Sequence, residues 1–179
     1  MDSLKKTNFK IYCFTNKINN NIKKKLLKYS NRNIIYINHK NISDILEVRK
    51  FCKKEKIKLY ISDNVNLAKK LNINNLHLSA NNKRKIFFNP KKVNIIGTVH
   101  SQLEFYFKLK QGCSALFLSP IFKTEKYSDN KALDILKFNQ ITKYWRIPFY
   151  ALAGINQKNF KRLKLTNAVG FGGISFFKQ

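Results

Sequence analysis

Eight short apolar runs, spaced about twenty residues apart, constrain this chain more than any other feature. They read KIYCF (10–14), NIIYIN (33–38), KLYIS (58–62), NLHLS (75–79), NIIGTV (94–99), ALFLSP (115–120), PFYALAG (148–154) and AVGFGGI (168–174). Each is continuous rather than alternating, and rich in β-branched or aromatic residues. Runs of that kind suit parallel strands buried on both faces. Between most of them lie segments with apolar residues at helical spacing: 22–29, 44–54, 65–71, 101–112 and 159–165. Ser43 and Asp44 are placed to cap the second segment, and Gly112 to end the fourth. Alternating strand and helix predicts an α/β fold, and eight repeats favour a compact (β/α)8 TIM barrel over a doubly wound sheet. At 179 residues the chain is short for a barrel, so its helices and loops must be short too. The segment 81–92 carries the weakest helical pattern and is broken by Pro90. No linker or low-complexity tail divides 1–179, which reads as one domain. Ile34, Ile35, Leu59, Ile61, Ile95, Leu116, Leu118 and Phe149 are the expected core.

Charge narrows the partners less than its size suggests. The chain has 36 Lys and Arg against 9 Asp and Glu, a net charge of +27. A basic excess of this kind draws polyanions. Here, however, Lys, Asn and Ile are inflated together, and the basic residues are spread along the chain rather than massed in one arm. That spread predicts cations over the outer helices and no specific nucleic-acid binding, while phosphorylated small molecules are still attracted. Cys13, Cys52 and Cys113 form no C-x-x-C pair, which argues against a zinc ribbon or redox motif. An odd cysteine count and no apolar region after the basic N-terminus predict a reducing cytoplasm. No apolar stretch approaches the ~20 residues of a membrane span.

In a barrel, functional groups sit where strands end. The third run ends in Ser62-Asp63-Asn64, the fourth in His77-Leu78-Ser79, and the fifth supplies Thr98 and His100. The sixth leads into Ser119-Pro120-Ile121-Phe122-Lys123-Thr124. Gly154 after the seventh run, with Gly172, Gly173 and Ser175 after the eighth, suits phosphate, because glycine lets backbone N–H groups approach an anion. Tight turns alone would use the same glycines. Asp63 is the one carboxylate at a predicted strand end.

With these strand ends in view, the chain resembles the thiamine phosphate synthase / TenI family over nearly its whole length. YISDNVNLAKKLNINNLHLS resembles the family's I-N-D-x-x-x-L-A stretch, GTVHS its S-x-H element, and LFLSPIFKTEK its G-P-x-F-x-T-x-x-K loop. YALAGINQKN is similar to A-x-G-G-I-x-x-x-N, and AVGFGGIS to the family's last strand. The resemblance implies an enzyme that joins a pyrimidine methyl diphosphate to a thiazole phosphate with Mg2+ and releases diphosphate. It implies Lys40 and Thr98 as catalytic groups, with Lys40 on diphosphate and Thr98 on the pyrimidine or leaving group. It implies Asp63 for magnesium, with Asn82 where the family has a second aspartate. Phosphorylated thiazole and pyrimidine ligands would be held by Asn38, His77, His100, Thr124, Lys126, Gly154, Gly172, Gly173 and Ser175. Several positions depart from the family: its Q-x-R-x-K reads Tyr36-Ile37-Asn38-His39-Lys40, and Ser62 and Ala153 replace an asparagine and a glycine. Pro120 stands where TenI proteins carry a histidine, which argues against an identical tautomerase mechanism. The departures gather on the metal and diphosphate positions, so the alternative is a TenI-like paralogue that binds thiazole phosphate or thiamine phosphate without fast chemistry.

Overall fold

Each of the eight runs contains a strand in the computed structural model, which describes residues 9–37, 41–84, 93–124 and 132–178. The strands are β1 (Lys10–Thr15), β2 (Arg32–Tyr36), β3 (Lys58–Ser62), β4 (Asn75–Leu78), β5 (Asn94–Val99), β6 (Ala115–Leu118), β7 (Phe149–Leu152) and β8 (Gly170–Gly173). All pair in parallel with their sequence neighbours, and β8 pairs with β1 to close the barrel. The eight residues expected in the core are all buried.

Burial on both faces explains why the runs are continuous. Alternate residues of each strand face opposite sides of the sheet. Tyr12, Phe14, Ile35, Tyr60, Ile96, Ala115, Phe117 and Tyr150 form one cluster inside the barrel. Their neighbours Ile11, Cys13, Ile34, Leu59, Ile61, Ile95 and Leu116 join a larger cluster with the helices outside. The inner cluster is largely aromatic: Tyr12 packs edge-on against Tyr60, Phe117 and Tyr150, and Phe14 against Phe117 and His77. The barrel interior is therefore filled, and the space for ligands lies at its two mouths.

The helices are short, as the chain length requires. They are α1 (Asn20–Leu27), α2 (Ile42–Lys54), α3 (Val65–Lys70), α4 (Gln102–Lys110), α5 (Asp134–Thr142) and α6 (Ser175–Lys178). Three details differ from the sequence expectation. Asn41, not Ser43 or Asp44, caps α2: its side chain accepts from Ser43 N at 3.1 Å, and an extended backbone there starts the helix two residues early. The segment 159–165 forms a 3-10 helix over Phe160–Leu165, squeezed between the Asn156–Asn159 turn and the extended Thr166. Helix α5 lies outside the expected helices, although Ile135, Phe138 and Ile141 repeat at helical spacing. Residues 80–81 form a turn, 82–84 have no regular structure, and 85–92 lie outside the described residues. The three cysteines are free and buried in the described structure.

Charge follows helix direction. Basic residues occupy the last turn of α1, α2, α3 and α4 and of the 3-10 helix. Acidic residues occupy the first turn of α2, α4 and α5. Both placements oppose the helix dipole. Because the strands are parallel and each helix returns the chain to the next strand, the cationic helix ends gather around the strand-start mouth.

Candidate active site

A cavity of about 470 Å3 opens at the strand-end mouth. Its walls come from the ends of β1, β2, β3, β4, β6, β7 and β8 and the residues after them. Phe14, Leu152 and Ile155 give it an apolar side, and Ser62, Ser79, Ser119, Thr124 and Ser175 supply hydroxyls. Asp63 is the one carboxylate among its described lining residues.

The floor of this cavity is a three-residue polar chain. Ser62, His77 and Thr98 occupy the inward positions of adjacent strands β3, β4 and β5. Ser62 Oγ lies 2.8 Å from His77 Nδ1, and Thr98 Oγ1 lies 2.8 Å from His77 Nε2. His77 is only 3% exposed, and both of its ring nitrogens are engaged. Burial pulls its pKa down to about 4, an effect that Lys108 reinforces and Asp63 opposes. The ring is therefore neutral at pH 7. One ring nitrogen donates and the other accepts, so the two hydroxyls take opposite roles. Thr98 does not itself line the cavity and reaches it through His77.

Asp63 stands beside this chain at φ +57, a left-handed conformation that aspartate tolerates. The backbone turn aims its carboxylate at the loop after β4. Oδ1 accepts from Ser79 N at 2.9 Å and from Asn82 Nδ2 at 2.8 Å. Burial would raise the carboxyl, but the hydrogen bonds from Ser79 and Asn82 outweigh it and hold the pKa below its usual value. Asp63 is thus ionised, and its Oδ2 takes a long hydrogen bond from Ser62 Oγ at 3.5 Å. Asn82 does come to rest against Asp63, but it brings an amide donor where a second aspartate would bring charge. One carboxylate plus ligand phosphate oxygens is a minimal magnesium donor set. Among the described residues, no group of three His, Cys, Asp or Glu side chains gathers for a metal.

The glycines sit around the opposite wall. Gly154 has φ +73, and a Cβ there would lie 2.3 Å from the Phe122 carbonyl oxygen. Asn159 fixes this loop by donating to Gly154 O at 2.8 Å while accepting from Asn156 N at 2.8 Å. A Cβ on Gly172 would lie 2.6 Å from Phe14 Cε2 and 2.9 Å from Phe117 Cε1. Both glycines are thus demanded by packing, and both also line the cavity together with Gly173 and Ser175. Ala153 adopts φ +71, a conformation far easier for the glycine that the family carries there.

Of the residues singled out in the sequence, Asp63, His77, Thr124, Gly154, Gly172, Gly173 and Ser175 meet at this cavity, with Thr98 beneath it. His100 does not line it. It heads α4, where its backbone N donates to Glu104 Oε2, and lines a separate groove between α4 and α5. Asn38, Lys40 and Lys126 lie outside the described residues.

Sequence reasoning missed Lys108. Only 1% exposed, it sends Nζ to Asn82 O at 2.7 Å and to Gln111 Oε1 at 3.0 Å. Gln111 Nε2 reinforces the same loop at Asn82 O and Arg84 O. The pair clamps from behind the turn that carries Asn82 to Asp63. The available signal was a lysine three residues after Phe105, on the buried face of α4.

The fold agrees with what the chain is similar to. The family model described as "Thiamine monophosphate synthase" matches residues 31–177. The chain belongs to the thiamine monophosphate synthase family. Membership places it in thiamine biosynthesis. A curated relative, the "Putative thiamine-phosphate synthase 2" of Aquifex aeolicus, is 31% identical over 140 residues, covering 74% of this chain and 73% of that protein. The thiamine-phosphate synthase of Prochlorococcus marinus strain AS9601 is 25% identical over 129 residues; these cover 69% of this chain but 36% of that longer protein. Among solved structures, thiamine phosphate pyrophosphorylase from Pyrococcus furiosus superposes with a TM-score of 0.72 at 20% identity, covering 94% of this chain and 87% of that one. That likeness is one of fold. No helix among the described residues is long and apolar enough to cross a membrane.

Proposed function

We propose that this member of the thiamine monophosphate synthase family is a transferase that couples a pyrimidine methyl diphosphate to a thiazole phosphate. The C–O bond breaks, and diphosphate leaves with its electron pair. The thiazole nitrogen then forms the new C–N bond, giving thiamine phosphate and diphosphate. The observation that carries this reading is the meeting of an ionised Asp63, the neutral Ser62–His77–Thr98 chain and the glycine-lined wall around one cavity. Asp63, through Oδ2, would hold Mg2+, which neutralises charge on the departing diphosphate. The wall of Gly154, Gly172, Gly173 and Ser175 would hold the thiazole phosphate. The polar chain below would orient the pyrimidine through Ser62 and His77, with Thr98 fixing the ring. Lys40 and Lys126 would approach diphosphate, with Asn38 and Thr124 alongside. Small phosphorylated ligands are the partners on this reading, without specific nucleic-acid binding, in the cytoplasm.

One observation favours a second reading. The amide of Asn82 beside Asp63, in place of a second carboxylate, weakens the metal end and leaves the phosphate wall whole. A protein of that kind would bind thiazole phosphate or thiamine phosphate and turn over slowly or not at all. Incubating purified protein with both precursors and Mg2+, and following thiamine phosphate by chromatography, separates the two readings. Product formed over many turnovers supports the transferase; bound thiazole phosphate without product supports the paralogue.

A further inference from the structure

A second cavity, of about 270 Å3, opens at the strand-start mouth. Lys10, Arg32, Lys56 and Lys58 line it, and no carboxylate does among its described lining residues. Among the described residues, none of these four cations is paired with an acid. Composition does not account for the cluster. A chain this rich in lysine would scatter cations into every concavity, yet the α4–α5 groove has no Lys or Arg among its described lining residues.

The inner wall of the strand-start cavity suits an oxyanion as well. Tyr12, Tyr60 and Tyr150 line it from inside the barrel. Their rings are locked edge to edge, with centroids 5.7 and 4.8 Å from Tyr12 to its two partners. Burial, with the neighbouring tyrosines, raises the Tyr12 phenol, and burial raises Tyr60, so both stay neutral hydroxyls. Asn94 Nδ2 donates to Tyr60 Oη at 2.9 Å, and the Tyr12 hydroxyl is hydrogen-bonded to those of Tyr60 and Tyr150, which fixes the three phenols at the cavity wall. Arg32 gives Nη1 to Tyr29 O at 2.6 Å and keeps a buried Nε with no hydrogen-bond partner in the described structure. Unpaired cations at the mouth of a low-dielectric barrel focus a positive potential there, and the basic last turns of the surrounding helices add to it. Arginine supplies a planar fork and the lysines point charges, a combination that matches phosphate oxygens.

We propose that the strand-start cavity is an anion site for a small phosphate-type ligand of the diphosphate class, separate from the strand-end site. It stands independently of the transferase reading, because no strand-end residue takes part.

The test is titration calorimetry of the purified chain with inorganic diphosphate in a phosphate-free buffer. Two variants separate the mouths. The titration is run without Mg2+, which the diphosphate position at Asp63 would need. Ile174→Asp further puts a carboxylate at the rim of the strand-end cavity, at a side chain 46% exposed and so cheap to replace. Lys10→Glu/Lys58→Glu reverses two exposed charges at the strand-start mouth. Ile174→Asp should still bind diphosphate. Adding Lys10→Glu/Lys58→Glu to that background should weaken the remaining event about ten- to a hundredfold, as expected for lost charge-assisted hydrogen bonds. Should the reversal lower the melting temperature, Lys10→Gln/Lys58→Gln takes its place, with the same direction and a smaller drop. If Ile174→Asp alone removes all diphosphate binding, or if the lysine variants bind as tightly as their parent, the assignment is overturned.

Discussion

The two mouths of the barrel are built from opposite materials. At the strand ends, one carboxylate, a buried histidine between two hydroxyls and close-packed glycines surround a cavity with no described cation. At the strand starts, four cations ring three tyrosines, with no acid among the described lining residues. The net charge of +27 therefore says little about where this molecule is positive. Helix direction contributes to that, because basic residues favour the last turn and acids the first in most of the helices, and the strand starts themselves add Lys10, Arg32 and Lys58. The contrast also separates two kinds of binding. On these proposals, directed hydrogen bonds would hold the thiazole phosphate at the strand-end wall, whereas charge would hold an anion at the strand starts.

The largest expected stability effect tests whether the strand-end wall is as tight as its geometry says. Gly154→Ala forces a Cβ against the Phe122 carbonyl and holds alanine at positive φ, and should cost about 2–5 kcal/mol in denaturant unfolding. A cost near zero would mean that this wall is loose. Next comes pH. Folded His77 takes a proton only near pH 4, whereas the unfolded chain takes it near the ordinary histidine value of 6.5, so acid favours unfolding. Stability present above pH 6.5 should be lost as pH falls towards 4, by about 3 kcal/mol in total. In His77→Gln that portion of the pH slope should vanish; a slope that survives would place its origin elsewhere.

Lys108→Met keeps the buried stem and removes the clamp on Asn82. It should cost about 1–3 kcal/mol of stability. Turnover should fall roughly ten- to a hundredfold as the Asp63 loop loosens. Unchanged turnover would show that Gln111 alone holds the loop. The smallest effect is a gain: Ala153→Gly relieves a left-handed alanine and should raise stability by about 0.5–1 kcal/mol, read as a higher denaturation midpoint.

Sequence and structure agree best where one local signal decides the outcome. The strand runs were legible because parallel strands buried on both faces leave no polar gaps, as in NIIYIN and ALFLSP. Asp63 was legible as the one carboxylate at a predicted strand end. The start of α2 was misplaced because Asn41, Ser43 and Asp44 are all competent caps, and backbone conformation chose among them. His100 shows the limit of reading strand ends: it follows β5 directly, yet the chain has already turned towards α4 and away from the cavity. Lys108 was hidden for a different reason. Its burial is made tolerable by a carbonyl 26 residues earlier in the chain, a pairing that only the closed barrel creates.

The central claim is that the strand-end mouth has a chemical end at Asp63 and a separable phosphate wall at β7 and β8. Measuring both functions in Asp63→Ala tests it most directly, with thiazole phosphate affinity from calorimetry and thiamine phosphate formation from a turnover assay with Mg2+. The account predicts that product formation is abolished while thiazole phosphate binds nearly as in the parent protein. Turnover that persists in Asp63→Ala, or phosphate binding that disappears with it, would contradict the account.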